Sequence, residues 1–113
     1  KYGNMHIGST LELTYDADGA ARSLEFLSAG TRDVAYTALR FALVDLLYKK
    51  EKPPVIFDES LAHQDSRRTA GIFKMLGRLS GEGVQSLVFT CREREAEVAG
   101  KTIGKENFTH IKL

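Results

Sequence analysis

Between Arg32 and Lys50 no glycine or proline interrupts an apolar pattern that returns every few residues. Ala35, Leu39, Ala42, Leu43 and Leu46 would share one face of a helix. Val34, Ala38, Phe41, Val44 and Leu47 widen that face until little polar surface is left, so a helix covered on several sides is predicted. Lys49, Lys50 and Lys52 suit its negative end and Pro53 stops it. Upstream the period is two. Leu11, Leu13 and Tyr15 alternate with Thr10, Glu12 and Thr14, which predicts a strand over 5–15. Asp16-Ala17-Asp18-Gly19 then turns the chain into a second short strand over 22–27, giving an N-terminal hairpin.

Downstream of Pro53 the run Val55-Ile56-Phe57 has no polar alternation and ends in Asp58-Glu59, as expected of a parallel strand covered on both faces. Asp65 or Ser66 can cap a helix reaching about Ser80. Ile72, Phe73, Leu76 and Leu79 form its inner stripe, and Arg67, Arg68, Lys74 and Arg78 face outward. Gly81-Glu82-Gly83 ends it. A strand over 84–91, a short charged helix over 92–99 and a last strand over 107–113 complete the pattern. Helices and strands in alternation predict an α/β fold.

Composition narrows the function classes. The chain has 113 residues, enough for one domain, with 42% hydrophobic and 27% charged residues, as in ordinary globular proteins. Sixteen basic and fifteen acidic side chains nearly cancel, so bulk charge argues for no nucleic-acid or membrane surface. Cys91 is the single cysteine, which excludes an internal disulfide and a cysteine-cluster zinc site. His6, His63 and His110 lack metal-ligand spacing. No apolar run approaches the roughly 20 residues that span a bilayer, and no signal-peptide pattern is present. A cytoplasmic location is expected, without membrane association. The start at Lys1 reads as that of a piece cut from a longer chain.

Two segments could carry chemistry. Ligands of α/β proteins gather at the carboxyl ends of strands, where Asp58 and Glu59 fall. Two buried carboxylates side by side would be costly without a counter-charge, and a bound cation would offset that cost. An Asp holding Mg²⁺ beside a Glu orienting water is an arrangement used by nucleotide hydrolases. The plainer reading makes Asp58 a turn cap and leaves Glu59 solvated. Leu27-Ser28-Ala29-Gly30-Thr31 places a hydroxyl and free amides at a helix N-terminus, which suits a phosphate. Here the plainer reading is an N-cap followed by a glycine that eases a turn.

In order along the chain these segments resemble the ABC ATPase motifs. Leu27 to Thr31 is similar to the ABC signature, and the strand ending Asp58-Glu59 to Walker B. Ser60-Leu61-Ala62-His63-Gln64-Asp65 is similar to the D-loop, and Val88-Phe89-Thr90-Cys91 lies where the switch histidine belongs. The resemblance is greatest to heads of the structural-maintenance-of-chromosomes (SMC) and double-strand-break-repair class, including bacterial SMC-like ATPases. It implies that residues 1–113 are the C-terminal lobe of a P-loop NTPase head, with parallel strands flanked by helices. In such heads a coiled coil separates this lobe from a Walker A lobe, and no G-x-x-x-x-G-K-[ST] occurs here. The fragment alone is therefore expected to be inactive.

By resemblance, the cofactors are ATP and Mg²⁺, with Asp58 on the metal and Glu59 as the catalytic base. Ser28 and Gly30 would act in trans on nucleotide of a second head, and Asp65 would link the two sites. Implied partners are the Walker A lobe, a second head in a homodimer, and DNA, with Arg67, Arg68, Lys74 and Arg78 as candidate contacts. A nuclease subunit is a further candidate partner, and association with the nucleoid a further location. Two departures stand out. Ala29 replaces the first glycine of the signature pair, and Cys91 replaces the switch histidine. A thiol is a weak donor that cannot fully copy an imidazole; a neighbour such as Arg92 would substitute, or turnover would be slow. Cys91 would otherwise be a small buried apolar group. Two rivals remain: a non-hydrolysing dimerisation or scaffold module, and a metal-dependent nuclease using Asp58, Glu59 and Asp65.

Overall fold

A computed structural model describes residues 4–10 and 12–113. Leu11, part of the predicted alternation, lies outside the described residues. Two compact units make up the chain, Lys1–Ala38 and Leu39–Leu113. The helix α1, Ala29–Leu47, belongs to both.

The first unit is built on an antiparallel sheet, β1 (Met5–Ile7), β2 (Leu13–Ala17) and β3 (Ala20–Ser23), in that order. The single strand expected over 5–15 is therefore a hairpin. The alternation runs through Gly8-Ser9-Thr10, but Gly8 N–H donates to Glu12 C=O and folds β1 back, with Met5 opposite Tyr15. The second turn is as expected. Asp18 and Gly19 both take positive φ, 51° and 79°, the mirror-image turn that matches strand twist. β3 stops at Ser23, and a 3-10 turn over Leu24–Phe26 replaces the remainder of the expected strand. Tyr15, Leu24, Leu27 and Ala35 form the small core of this unit.

In the second unit β4 (Val55–Asp58) and β5 (Ser86–Phe89) pair in parallel, with Phe57 opposite Val88 and Asp58 opposite Phe89. Two helices, α2 (Ser66–Gly81) and α3 (Glu93–Ile103), pack on each other. The predicted stripe of α2 is inside: Ile72, Phe73 and Leu76 join Val55, Phe57, Leu61, Val84 and Ala99 in one core. Phe57 is 1% exposed, and its truncation to Ala would cost about 3–5 kcal/mol. The Asp65 carboxylate accepts from Arg68 N–H at 2.8 Å and caps α2. At the other end Val84 N–H reaches Leu79 C=O and Gly83 N–H reaches Ser80 C=O, with Gly83 at φ 88°. This is the Schellman pattern, in which a left-handed glycine lets the chain cover the last carbonyls.

Four expectations are corrected. Strand β4 is covered on one face, since Ile56 is 55% exposed. Helix α1 buries only Gly30 and Ala35, while Val34, Tyr36, Leu43, Leu46 and Leu47 are exposed. In both cases the pattern identifies an apolar face without saying which polypeptide covers it. The charged helix runs on to Ile103, because nothing before Gly104, at φ 85°, breaks it. The strand expected over 107–113 is absent: Lys105–Asn107 form a 3-10 turn, and the tail beyond Phe108 is exposed with no strand partner.

Candidate functional site

Parallel pairing sets Asp58 and Phe89 level at the carboxyl ends of β4 and β5. The register continues one step, since Glu59 N–H donates to Phe89 C=O at 3.0 Å. Glu59 then turns into the left-handed region at φ 49°, which costs a non-glycine residue about 1–2 kcal/mol. Its carboxylate points back across the strand ends, and Oε1 accepts a hydrogen bond from Cys91 N–H. Asp58 and Glu59 are both exposed, so burial of the pair is not found. No side-chain partner of Asp58 is present among the described residues. Cys91 is likewise exposed, contrary to the buried apolar group expected, and it meets Glu59 through its backbone and not its thiol.

The loop after Glu59 is fastened from within and from the segment after β5. Ala62 N–H donates to Glu59 C=O and Gln64 N–H to Leu61 C=O, and Leu61 is buried in the core. Arg92 Nη1 donates to Ala62 C=O at 3.0 Å, and Arg94 Nη2 donates to Gln64 C=O at 2.9 Å. The same Arg94 nitrogen is 3.0 Å from Oε1 of Glu95, a residue only 1% exposed, whose Oε2 accepts from Thr90 Oγ1 at 3.3 Å. Sequence reasoning missed Arg94 and Glu95, because Arg92-Glu93-Arg94-Glu95 reads as a solvated charge run. The signal was the period: Glu95 precedes Val98 and Ala99 by three and four residues and so shares their inner face.

Ser28 and Gly30 lie in the first unit, at the start of α1. Ser28 Oγ accepts from Thr31 N–H at 3.3 Å and shares a hydrogen bond with Thr31 Oγ1 at 2.9 Å, which is N-cap geometry. Ser28 remains exposed and Gly30 is buried. Asp58, Glu59, Asp65 and Cys91 all lie in the second unit, where Glu59 and Cys91 are brought into direct contact and Asp65 serves as the α2 cap. Among the described residues no three His, Cys, Asp or Glu side chains converge on a common point, which leaves the nuclease reading without a metal cluster.

Solved structures supply the frame for this geometry. A chain from work on ATP-driven dimerization and DNA-stimulated activation of SMC ATPases superposes with a TM-score of 0.60 at 22% identity, over 78% of this chain and 53% of that one. The Smc head domain from Pyrococcus furiosus, solved with an extended coiled coil and bound to the C-terminal domain of ScpA, superposes with a TM-score of 0.59 at 24% identity. That match covers 78% of this chain and 21% of the other. The fold is that of part of an SMC ATPase head. In sequence, the chain is 41% identical over 76 residues to the uncharacterized protein YhaN of Bacillus subtilis (strain 168). Those residues are 67% of this chain but only 8% of YhaN. No protein-family model matches. Within the SMC-head fold, the paired ends of β4 and β5 are where the titratable groups meet. No helix among the described residues is long and apolar enough to cross a membrane.

Proposed function

We propose that residues 1–113 form the C-terminal lobe of an SMC-like ABC ATPase that binds and hydrolyses ATP between two heads, in DNA repair or chromosome maintenance. The observation that carries this reading is the Cys91 N–H bond to the Glu59 carboxylate at the tips of adjacent parallel strands. It holds Glu59 at a strand end while its second oxygen stays free to accept a proton from water. Asp58 fits a Mg²⁺ ligand. It is exposed and has no side-chain partner among the described residues, and Mg²⁺ needs only one or two carboxylates when phosphates complete its shell. When bound, Mg²⁺ would neutralise phosphate charge.

Ser28 and Gly30 would face nucleotide of the second head, and Asp65 would relate the two sites. The exposed apolar residues of α1 and the open face of β4 support a companion lobe carrying the phosphate loop. The exposed basic side chains of α2, Arg67, Arg68, Lys74 and Arg78, are the proposed DNA contact, and a cytoplasmic, nucleoid-associated location follows from that role. The experiment is steady-state ATP turnover by the full-length protein with and without Mg²⁺, where Mg²⁺-dependent turnover is expected. A second reading, a dimerisation module that does not hydrolyse, draws support from Cys91, whose thiol stands in place of an imidazole. ATP-driven dimerisation without turnover would select it.

A further inference from the structure

The loop from Glu59 to Gln64 starts in a conformation that an unconstrained chain would leave. A left-handed glutamate persists only where its surroundings over-determine it. Three bonds from the segment 91–94 do so here: Cys91 N–H on the Glu59 carboxylate, Arg92 on Ala62 C=O and Arg94 on Gln64 C=O. Of the two arginines, only Arg94 is itself anchored by a buried group. Glu95 lies in the core-facing side of α3, bound by Thr90 Oγ1 and by the nitrogen that also reaches Gln64. A guanidinium presents several donors in a fixed fork, so one side chain can bond Glu95 and the loop carbonyl together.

We propose that Arg94, fixed by the buried Glu95, is a positioning residue that holds the loop carrying Glu59 in its working shape. It acts through the backbone of Gln64. The proposal rests on the reading of Glu59 as the group that activates water. Its effect would fall on the chemical step and not on nucleotide affinity, because the phosphate loop is proposed to belong to the companion lobe. A displacement of the base by about 1 Å is enough to lower a rate by about a hundredfold.

Arg94→Ala leaves Glu95 buried beside an empty space, a defect that by itself favours misfolding, so two other variants of the full-length protein are used. Arg94→Met with Glu95→Met removes both charges and keeps the volume. Arg94→Lys keeps the ion pair but replaces the fork by a point charge. Hydrogen exchange is followed in peptides spanning 55–58 and 59–65, together with kcat and KM for ATP. In the double variant, exchange over 59–65 is expected to rise about tenfold or more while that of β4 is unchanged. kcat should fall about a hundredfold at constant KM. Arg94→Lys should show the same split, in smaller measure. Unchanged exchange over 59–65, an equal rise throughout the second unit, or a loss confined to KM would overturn the proposal. If the parent protein shows no turnover, the reading of Glu59 fails by itself, and the exchange result still decides whether Arg94 holds the loop.

Discussion

Cys91 donates its backbone N–H to the carboxylate of Glu59, a residue 32 positions earlier in the chain. The bond needs no particular side chain at 91, so replacing an imidazole by a thiol leaves this contact intact. What the thiol does not supply is a ring donor or acceptor beyond the strand end. In the full-length protein, Cys91→His is therefore expected to fold normally and to hydrolyse ATP faster than the parent. Steady-state turnover checks this. An equal or lower rate would mean that another group, such as Arg92, already fills the role.

Glu59→Gln separates binding from hydrolysis. An amide oxygen can still accept from Cys91 N–H, so the local structure should persist, but it cannot take a proton from water. Turnover should drop by about a hundredfold or more, with ATP binding kept and the ATP-bound dimer accumulating. Parent-rate turnover in this variant would remove Glu59 as the base.

Glu59→Gly tests the strain at the same position. Relief of the left-handed conformation contributes about 1 kcal/mol, and the greater freedom of an unfolded glycine takes back a similar amount. The exposed Cys91 N–H also loses its carboxylate partner to water, so the melting temperature should stay level or fall slightly while hydrolysis is lost. A fall of several degrees would show that this bond stabilises the fold by more than the left-handed conformation costs it.

Much of this arrangement was legible in the sequence where short-range chemistry decides the outcome. Asp18-Gly19 specified its own turn, Asp65 its cap, and Ile72, Phe73 and Leu76 their inner face. The apolar run Val55-Ile56-Phe57 gave the parallel strand that carries Asp58 and Glu59 to one end of the sheet. Long-range relations were not legible. Nothing in Arg92-Glu93-Arg94-Glu95 states that one carboxylate is buried and two guanidiniums turn toward residues 62 and 64. Nor does an apolar face on α1 or β4 reveal that Leu46, Leu47 and Ile56 stay exposed among the described residues.

A pH dependence follows from the pair that ties the end of α1 to the link before β4. Lys52 Nζ lies 2.8 Å from Asp45 Oδ1. The hydrogen bond from Lys52, then its charge and that of Lys49, hold the Asp45 carboxyl below the usual carboxylate range. The hydrogen bond to Asp45 raises Lys52 in turn, against a smaller opposing effect of burial. A lowered carboxyl contributes stability that is present above its unfolded value and is lost as pH falls through the folded one. A raised ammonium contributes stability that is full below its unfolded value and is lost as pH rises through the folded one. The difference in melting temperature between the parent and Lys52→Met should accordingly be constant at neutral pH and shrink below the usual carboxylate range. A difference that persists undiminished into strong acid would assign the effect to the packing of the Lys52 chain.

Ser28 has one observed role and one proposed role, and two substitutions divide them. As the N-cap of α1 it accepts from Thr31 N–H, and Ser28→Ala should cost about 1 kcal/mol through that loss alone. Ser28→Asp keeps a capping oxygen and places a negative charge at the positive end of the helix, so stability should be equal or slightly higher. In its proposed second role Ser28 faces the terminal phosphate held by another head, where a carboxylate would repel it. Ser28→Asp should therefore fold as well as the parent and bind ATP to the single head unchanged, yet fail to dimerise or hydrolyse. Ser28→Ala should show the reverse balance, with lower stability and dimerisation largely kept. Thermal melting and ATP-dependent sedimentation of the two full-length variants read both quantities. If Ser28→Asp dimerises with ATP as the parent does, Ser28 is a helix cap and the phosphate of a second head does not approach it.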